Sequence, residues 1–416
     1  MHIKPGHVQG RIAVPASKSL VQRYLALSCL SQDNTVLGDF SGCDDTDTAL
    51  QIIRDLGCSL EERDDTICIR PGQNRHNTLL QCNESGLCMR MFAPVVSLFD
   101  DSYSLYSKGS LSTRPMHFLK KPLMDMGAKV LTNNGYPPVR ICGPAQGGAI
   151  EVDAGITSQL LTGLLVSLHR CPRDSEITVR NLKSSPYIDM TLEVLEDFGV
   201  SAEYSRDYSY FYIRGSQECR PVFKRRDVEG DWSCASFFLV AGALGGRVEV
   251  DNIRPCSRQA DRKILDVLKE AGAVVEVAEG RIAVESSELM GFSFDASDCP
   301  DLFPPLTALA VNCSGISRIY GASRLIYKES NRVRSIMEGF AKAGADIVHE
   351  GDYLEIRGKE LQGGVSGSFG DHRIAMALAV SALRSREGIR IEDYGVVSKS
   401  FPEFFNILDS IIKEKP

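Results

Sequence analysis

The sequence contains no long hydrophobic run and no excess of positive charge. No stretch of the 416 residues approaches the roughly 18 consecutive apolar residues of a transmembrane helix, and the start, Met-His-Ile-Lys-Pro-Gly, lacks the apolar run of a signal peptide. Acidic residues outnumber basic ones by 54 to 47, for a net charge of -7, whereas nucleic-acid binding usually needs a basic face. We therefore expect a cytoplasmic protein without membrane or nucleic-acid partners. Any anionic ligand would have to be held by locally placed cations.

Cysteine is present, but not in a pattern typical of metal sites. The thirteen cysteines are scattered through the chain, with no Cys-x-x-Cys pair and no Cys/His cluster at ligand spacing. We interpret them as reduced thiols and expect no metal site. The length predicts two or more domains, and a hydrophobic content of 43% is enough for a large core.

A repeat runs along the chain. Five predicted helices end in a glycine that precedes a β-like segment, namely Gly57, Gly127, Gly199, Gly272 and Gly344. The intervals between these glycines are 70, 72, 73 and 72 residues. Glycine suits the left-handed position that ends a helix. Two short alternating segments follow each glycine, as at 128–140 and 345–357, and they predict a β-hairpin.

A second, more apolar kind of helix alternates with the first. It occurs six times, each time before a strand, at residues 19–30, 88–99, 158–168, 233–244, 304–313 and 374–383. Helices that are apolar nearly all round are typical of buried positions. The sequence therefore predicts an α/β fold of six βαβαββ units, most simply two domains of three, with helices inside and sheets outside. Two helices per unit exclude a β-solenoid or a propeller.

The start of the first buried helix has the features of an anion site. Ser17 is a candidate N-cap, and Lys18 and Ser19 fall in the first turn, where unpaired backbone N–H groups and the helix dipole favour an anion. Arg23 lies four residues after Ser19, on the same face. An ordinary capped helix with two solvated basic residues is the alternative.

Two further helix starts carry hydroxyls or cations. Thr157, Ser158 and Gln159 precede an apolar helix, an arrangement that could either cap the helix or bind a phosphate. Residues 328–332, Lys-Glu-Ser-Asn-Arg, are expected to open another helix, with the two cations one turn apart on its polar side. A surface ion-pair cluster is the alternative there.

Charged side chains also occur in apolar surroundings. Residues 371–373, Asp-His-Arg, open a buried helix, where a charged triplet is unfavourable unless it is paired or faces a cleft. Asp301 precedes an apolar run. Apolar surroundings would raise the pKa of its carboxyl, and a raised pKa would suit a general base. A helix cap is the alternative. Lys399 and Arg114 add one cation each on loops rich in turn residues.

In their order and spacing these segments resemble the motifs of the 5-enolpyruvylshikimate-3-phosphate synthase family. The motifs span almost the whole chain and lie at residues 15–23, 86–90, 114–115, 157–159, 184–189, 229–231, 300–301, 328–332, 371–373 and 399–402. The family fold is a two-domain inverse α/β barrel of six βαβαββ units, in agreement with the repeats. The resemblance implies one domain at 15–224, a second at 1–14 plus 225–416, and an active site in the cleft between them.

The reaction implied by the resemblance transfers the enolpyruvyl group of phosphoenolpyruvate to the 5-hydroxyl of shikimate 3-phosphate and releases phosphate, in the shikimate pathway to chorismate and the aromatic amino acids. The residues that match the family's shikimate 3-phosphate positions are Lys18, Ser19, Arg23, Thr157, Ser158, Gln159, Ser184, Tyr187, Asp301 and Lys328. The residues that match its phosphoenolpyruvate positions are Lys18, Gly86, Arg114, Gln159, Arg332, Arg373 and Lys399. The resemblance implies no metal and no organic cofactor. We expect a monomer that acts on small molecules.

The catalytic positions of the family match Asp301, Glu329, Lys18 and Lys399. The implied mechanism has Asp301 take the hydroxyl proton, while Glu329 protonates the methylene carbon and later removes a proton from it. Lys18 or Lys399 would assist the departure of phosphate. A ring of fixed cations suits two substrates that both carry phosphate and carboxylate groups.

Some positions depart from the family pattern. Ala16 replaces a glycine, residues 84–87 read Glu-Ser-Gly-Leu instead of Asn-Ala-Gly-Thr, and Met91 replaces a common proline. Leu87 and Met91 leave sensitivity to the inhibitor glyphosate open, and Arg324, an Asn in some members, is assigned no role.

Two alternatives remain. An enolpyruvyl transferase of the same architecture that acts on UDP-N-acetylglucosamine typically has Lys-Asn where this chain has Lys18 and Ser19, and a cysteine-bearing loop that finds no match here. A non-catalytic binding module is the other, against which the joint presence of the four catalytic residues argues.

Overall fold

The computed structural model describes residues 1–72 and 76–413. Within these ranges the chain forms twelve α-helices, which are α1 (Lys18–Leu30), α2 (Asp44–Asp55), α3 (Gly86–Val96), α4 (Lys120–Asp125), α5 (Gln159–Leu168), α6 (Pro186–Asp197), α7 (Trp232–Gly245), α8 (Ile264–Glu270), α9 (Phe303–Ala310), α10 (Arg332–Ala341), α11 (His372–Ala382) and α12 (Phe404–Ile411). The chain divides into two units. The central unit is Ala16–Val228, and the terminal unit is Met1–Pro15 with Glu229–Pro416.

The sheets of the central unit share one pattern. In spatial order they are β14 (Arg226–Asp227), β3 (Thr35–Gly38), β5 (Thr66–Arg70), β4 (Ser59–Arg63); β6 (Leu79–Gln81), β7 (Ser102–Tyr106), β9 (Tyr136–Cys142), β8 (Lys129–Asn133); and β10 (Ala149–Asp153), β11 (Ser175–Arg180), β13 (Tyr210–Ile213), β12 (Glu203–Tyr204). In each sheet the first pair is parallel and the next two are antiparallel. This is the order that a βαβαββ unit produces, since a parallel pair needs a helical crossover and a hairpin does not.

The terminal unit repeats the pattern with two variations, a fifth strand in its first sheet and no hairpin in its third. Its sheets are β16 (Val274–Ala278), β17 (Arg281–Glu285), β15 (Gly246–Asp251), β2 (His7–Ala13), β24 (Ile412–Lys413); β18 (Ser293–Asp295), β19 (Ile316–Tyr320), β21 (Tyr353–Arg357), β20 (Asp346–Glu350); and β1 (His2–Ile3), β23 (Ile389–Glu392), β22 (Gly364–Gly367). The parallel pairs are β2–β15, β18–β19 and β22–β23. In the third sheet the antiparallel partner of β23 is β1, from the start of the chain, where the other sheets have a hairpin.

The core of each unit is made of the apolar helices. Nearly every residue of α1, α3 and α5, and of α7, α9 and α11, is buried, and the three helices of each unit contact one another. The strands instead alternate exposed and buried residues, as in β9 and β11, because one face of each sheet packs on the core. The predicted α/β architecture of buried helices and outer sheets is confirmed.

The repeat glycines behave as the sequence predicts. All five have a positive φ, from 68° at Gly199 to 104° at Gly57, a region that a residue without a Cβ adopts at low cost. The segments that follow Gly127 and Gly344 form the hairpins β8–β9 and β20–β21.

One helix begins later than the sequence predicts. Helix α10 starts at Arg332, and the Asn331 side chain caps it by accepting a hydrogen bond from Arg334 N at 3.3 Å. Lys328 therefore lies in the preceding turn, and the prediction that it opens the helix one turn before Arg332 was wrong. Among the described residues, no helix combines the length and apolarity needed to span a membrane.

Candidate active site

Three helix starts of the central unit carry residues predicted to bind substrate. Lys18 is the first residue of α1, Gly86 the first of α3 and Gln159 the first of α5. Side-chain hydrogen bonds join these ends, since Gln22 donates to Ser85 Oγ at 2.9 Å across α1 and α3. Because the N–H groups of a first helical turn lack helical partners and the dipole is positive there, clustered helix starts favour an anion.

Three predicted phosphoenolpyruvate residues converge at Gly86. A Cβ atom built on Gly86 would lie 3.3 Å from Nη1 of Arg114 and 3.7 Å from Oε1 of Gln159. It would also lie 3.2 Å from Nη1 of Arg90, which donates to Gln159 Oε1 at 2.8 Å. The glycine thus leaves a small space beside two guanidinium groups. Arg90 lies beside Gly86 and Gln159, but the sequence analysis assigned it no role, although it ends the motif at 86–90.

Arg23 is buried among neutral acceptors. Its guanidinium donates to Thr191 Oγ1 at 2.9 Å and Thr162 Oγ1 at 3.4 Å, and to the carbonyls of Ser19 at 2.7 Å and Tyr187 at 3.1 Å. No carboxylate in the described part of the chain forms an ion pair with it. Burial lowers the pKa of Arg23 to about 10, because desolvation disfavours the charged form. A buried cation without a counter-ion is suited to bind an anion.

The other predicted shikimate 3-phosphate residues of this unit flank α5 and α6. Ser158 directly precedes α5, and Thr157 Oγ1 accepts a hydrogen bond from Gln159 N at 3.2 Å. Ser184 has a left-handed φ of 59°, and its carbonyl accepts the Tyr187 N–H at 3.1 Å at the start of α6. Because the Tyr187 carbonyl also accepts from Arg23, the start of α6 contacts α1 through this side chain.

Lys18 has a partner that sequence reasoning missed. Its Nζ lies 2.9 Å from Oδ2 of Asp45, with side-chain exposures of 13% and 9%. Asp45 belongs to the acidic first turn of α2, which is the only signal of it in the sequence. The ion pair fixes the ammonium group at the start of α1.

In the terminal unit, three residues predicted to bind substrate surround Asp301, a predicted catalytic residue. Oδ1 of Asp301 lies 2.6 Å from Arg332 Nη1 and 3.4 Å from Lys328 Nζ. Oδ2 lies 3.1 Å from Arg373 Nη2. Two cations of the 328–332 segment and one from the start of α11 therefore bind one carboxylate.

The pKa of Asp301 is shifted in the direction opposite to the prediction. Burial by itself raises this pKa, but Arg373, Lys328 and Arg332 together hold it well below its usual range, although Glu329 opposes them. The expectation of a raised pKa was wrong because the sequence neighbours of Asp301 are apolar, whereas its spatial neighbours are cations. Burial also lowers the pKa of the Lys328 ammonium, more than Asp301 raises it.

Arg332 joins the carboxylates of the cluster. Its side chain is 1% exposed, which excludes a surface ion-pair cluster. Nη2 donates to Glu329 Oε2 at 2.5 Å, and Nε donates to Asp371 Oδ2 at 2.8 Å. Asp371 also caps α11 by accepting the Arg373 N–H at 3.0 Å. The two charged residues of the buried triplet, Asp371 and Arg373, are therefore paired with Arg332 and Asp301, as the sequence analysis required.

Lys399 is buried at the end of a 3₁₀ turn, Tyr394–Lys399, which packs against α11. Within residues 1–72 and 76–413, His, Cys, Asp and Glu side chains form no group of three or more that could hold a metal ion.

Comparison with known proteins identifies the family. The family model described as EPSP synthase (3-phosphoshikimate 1-carboxyvinyltransferase) matches residues 3–408. The chain belongs to the EPSP synthase family. A 3-phosphoshikimate 1-carboxyvinyltransferase of Aeropyrum pernix is 38% identical over 407 residues, covering 98% of this chain and 94% of the relative. One of Methanocorpusculum labreanum is 34% identical over 412 residues, covering 97% and 96%.

A solved structure of EPSP synthase from Acinetobacter baumannii is similar over 99% of this chain and 98% of that chain, with a TM-score of 0.82 and 26% identity. The resemblance found in the ordered motifs is thereby confirmed, as is the α/β fold of the EPSP synthase family.

Proposed function

We propose that this protein transfers the enolpyruvyl group of phosphoenolpyruvate to the 5-hydroxyl of shikimate 3-phosphate and releases phosphate, in the pathway to chorismate and the aromatic amino acids. Membership of the family supports the reaction. The observation that carries it is the Asp301 carboxylate bound by Lys328, Arg332 and Arg373. An ionised carboxylate can accept a hydroxyl proton, and cations around it can hold two acidic substrates close together.

The chemistry follows from two carboxylates in different roles. Asp301 takes the proton of the 5-hydroxyl as its oxygen attacks C2 of phosphoenolpyruvate, and Glu329 delivers a proton to the methylene carbon. The intermediate carries a methyl group. It collapses when the bond between C2 and the phosphate oxygen breaks and Glu329 takes a methyl proton, which restores the double bond. The proton that Asp301 took from the hydroxyl leaves with the phosphate. Lys18 or Lys399 stabilises the charge of the departing phosphate.

Residues of both units are proposed to act on the same substrate pair. The proposed shikimate 3-phosphate residues are Lys18, Ser19, Arg23, Thr157, Ser158, Gln159, Ser184, Tyr187, Asp301 and Lys328. The proposed phosphoenolpyruvate residues are Lys18, Gly86, Arg114, Gln159, Arg332, Arg373 and Lys399. The convergence of Arg114 and Gln159 on Gly86, and the buried Arg23 without a counter-ion, support the two sets.

Release of phosphate from phosphoenolpyruvate tests the proposal. We expect release with shikimate 3-phosphate and none with UDP-N-acetylglucosamine. Asp301→Asn should slow the reaction by on the order of 100-fold or more, the usual contribution of a general base. Asp295→Asn, at an exposed carboxylate on β18 of the same unit, should leave the rate unchanged. Release only with the nucleotide sugar would assign the rival transferase, and no release from a folded protein would indicate a binding module.

We propose in addition a cytoplasmic monomer that acts on small molecules without nucleic-acid or membrane partners. The net charge of -7 supports the absence of a nucleic-acid partner. Light scattering after size-exclusion chromatography should give the mass of one chain, and the mass of two would contradict the monomer.

A further inference from the structure

Asp261 is a buried carboxyl that the proposed mechanism does not use. It lies in the 3₁₀ turn Ala260–Lys263 of the terminal unit and is 2% exposed. Ser233 Oγ donates a hydrogen bond to its Oδ2. Its Oδ1 is buried and has no hydrogen-bond partner in the part of the chain that the structure describes. A buried carboxylate with one oxygen unsatisfied is unfavourable, and a proton on the group reduces that cost because it removes the charge.

Asp261 lies close to the charged residues that surround Asp301. The titratable groups that face it from neighbouring elements are Asp301, Arg373, Asp231 and Cys299. Arg373 is the one cation among them, and it already forms an ion pair with Asp301 at 3.1 Å. Asp261 is thus an additional acidic group beside a guanidinium that already has a carboxylate partner.

The two carboxyls are shifted in opposite directions. Burial, together with the charge of Asp301, raises the pKa of Asp261 to about 7, although Arg373 and the Ser233 hydroxyl oppose this. The pKa of Asp301 is held well below its usual range by the cations around it. Two interacting carboxyls of this kind carry one proton between them near neutral pH, and the proton resides on the less stabilised one.

We propose that Asp261 holds a proton behind Asp301 and that loss of this proton strengthens Asp301 as a base, which makes Asp261 a positioning residue for the reaction. The inference rests on the proposed function, in which Asp301 accepts the hydroxyl proton. An ionised Asp261 places a second negative charge near Asp301 and competes for Arg373. Both effects make the Asp301 carboxylate bind a proton more strongly. The proton of Asp261 is exchanged with solvent.

The pH dependence of turnover tests this role. With both substrates saturating, kcat of the wild type should rise by up to about tenfold between pH 6 and pH 8, because a stronger base removes the hydroxyl proton faster. Asp261→Asn, neutral and of equal size, should match the wild type at pH 6 and lack the rise. Ser233→Ala removes a hydrogen bond that stabilises the ionised Asp261, so it should move the rise to higher pH.

A purely structural role would instead lower the rate equally at all pH values. Asp251→Asn is the control, since this carboxylate of β15 pairs with Arg281 at 2.9 Å outside the cluster, and it should keep the wild-type profile. An Asp261→Asn profile that retains the rise would overturn the inference.

Infrared spectroscopy of the whole protein without substrates gives a readout besides activity. The wild type should show the carbonyl band of a protonated carboxyl at pH 6, absent at pH 8 and absent from Asp261→Asn. If the wild type turns over but lacks this band, the inference about Asp261 is overturned and the proposed function stands. A wild type that shows the band but releases no phosphate would overturn the proposed function and with it the catalytic part of the inference. If Asp261→Asn does not fold, the wild-type band and the Ser233→Ala profile still decide.

Discussion

Gly86 leaves open the space on which Arg90, Arg114 and Gln159 converge. In Gly86→Ala the added Cβ would lie 3.2 and 3.3 Å from the two guanidinium groups, so these side-chain ends must move by a few tenths of an ångström and the space for a ligand shrinks. We expect KM for phosphoenolpyruvate to rise by about tenfold, which corresponds to roughly 1.4 kcal/mol of binding, with stability unchanged or slightly higher because Ala favours a helix.

Steady-state kinetics and thermal unfolding check both parts of this expectation. Gly367→Ala is the matched control, because its nearest neighbour would be the backbone N of Phe369 at 3.9 Å. An unchanged KM in Gly86→Ala would remove Gly86 from the phosphoenolpyruvate site.

Glu329 has the most demanding proposed role, because its carboxyl group must both donate a proton to carbon and later accept one from it. At rest its Oε2 lies 2.5 Å from Nη2 of Arg332, an ion pair that favours the ionised carboxylate. Bound phosphate and carboxylate groups would compete for Arg332 and free Glu329 to take up a proton. We therefore expect Glu329→Gln to bind both substrates, because the amide keeps the size of the side chain, and to lose proton transfer at the methylene carbon.

Deuterated water makes this loss measurable. The wild type, given both substrates, should place deuterium in the methylene group of the product, because the transient methyl group can return any of its hydrogens. Glu329→Gln should incorporate almost none, whereas Glu338→Gln, exposed on α10 and paired with Arg334, should behave as the wild type. Uptake by Glu329→Gln at the wild-type rate would move the role to another residue, with Lys18 as the first candidate.

The residues that sequence reasoning found and those it missed differ in where their partners lie. Lys18 was predicted because a helix start is a local feature of the sequence. Asp45 and Arg90 were missed because their contacts, with Lys18 and Gln159, join positions 27 and 69 residues away. The pKa of Asp301 was misjudged for the same reason, since its cations lie between 27 and 72 residues further along the chain.

At the scale of elements, the sequence predicted which segments form buried helices, but it did not always predict the residue at which a helix begins. An apolar run alone does not locate the first turn. Asn331 caps α10 by accepting a hydrogen bond from Arg334 N, and this cap fixes the start of the helix at Arg332. Lys328 therefore lies outside the helix, and its side chain reaches Asp301 from the preceding turn. Capping by a single side chain decided a detail on which the site depends.

Helix α5 ends at a buried histidine that should make the central unit sensitive to acid. Burial, together with the charge of Arg170, lowers the pKa of His169 to about 3, although a hydrogen bond with the Val166 backbone opposes this. In the unfolded chain the value is about 6.5. Between these values the unfolded chain binds a proton that the folded protein does not, so stability is complete above about pH 6.5 and falls as the pH is lowered toward 3.

Urea denaturation followed by circular dichroism between pH 7 and pH 4 checks this expectation. In His169→Leu, which cannot titrate, the free energy of unfolding should fall less steeply than in the wild type, by up to roughly 1.4 kcal/mol per pH unit below pH 6. His76→Leu, at an exposed position of the same unit, should leave the pH dependence as in the wild type. Parallel curves for His169→Leu and the wild type would contradict the assignment.

Across the whole chain, the repeat was the most predictable feature, because glycine-ended helices and all-apolar helices recur at a spacing of about 70 residues. The sequence did not reveal that β14, at 226–227, completes the sheet of β3 at the start of the central unit. Such a closure joins distant residues and leaves no local pattern. It does show that the central unit is continuous in sequence and supplies all the strands of its own sheets.

This continuity predicts that residues 16–228 fold when expressed alone. Their apolar helices form one core, and every strand of their three sheets comes from the same segment. The segment contains Arg23 and most of the proposed shikimate 3-phosphate residues but neither Asp301 nor Glu329. We therefore expect it to bind shikimate 3-phosphate in calorimetry and to release no phosphate from phosphoenolpyruvate.

Arg23→Met in the segment should weaken binding by about tenfold or more, since a buried charge-assisted contact contributes about 1.5–3 kcal/mol. A folded segment that binds equally well with and without Arg23 would remove this residue from the substrate site.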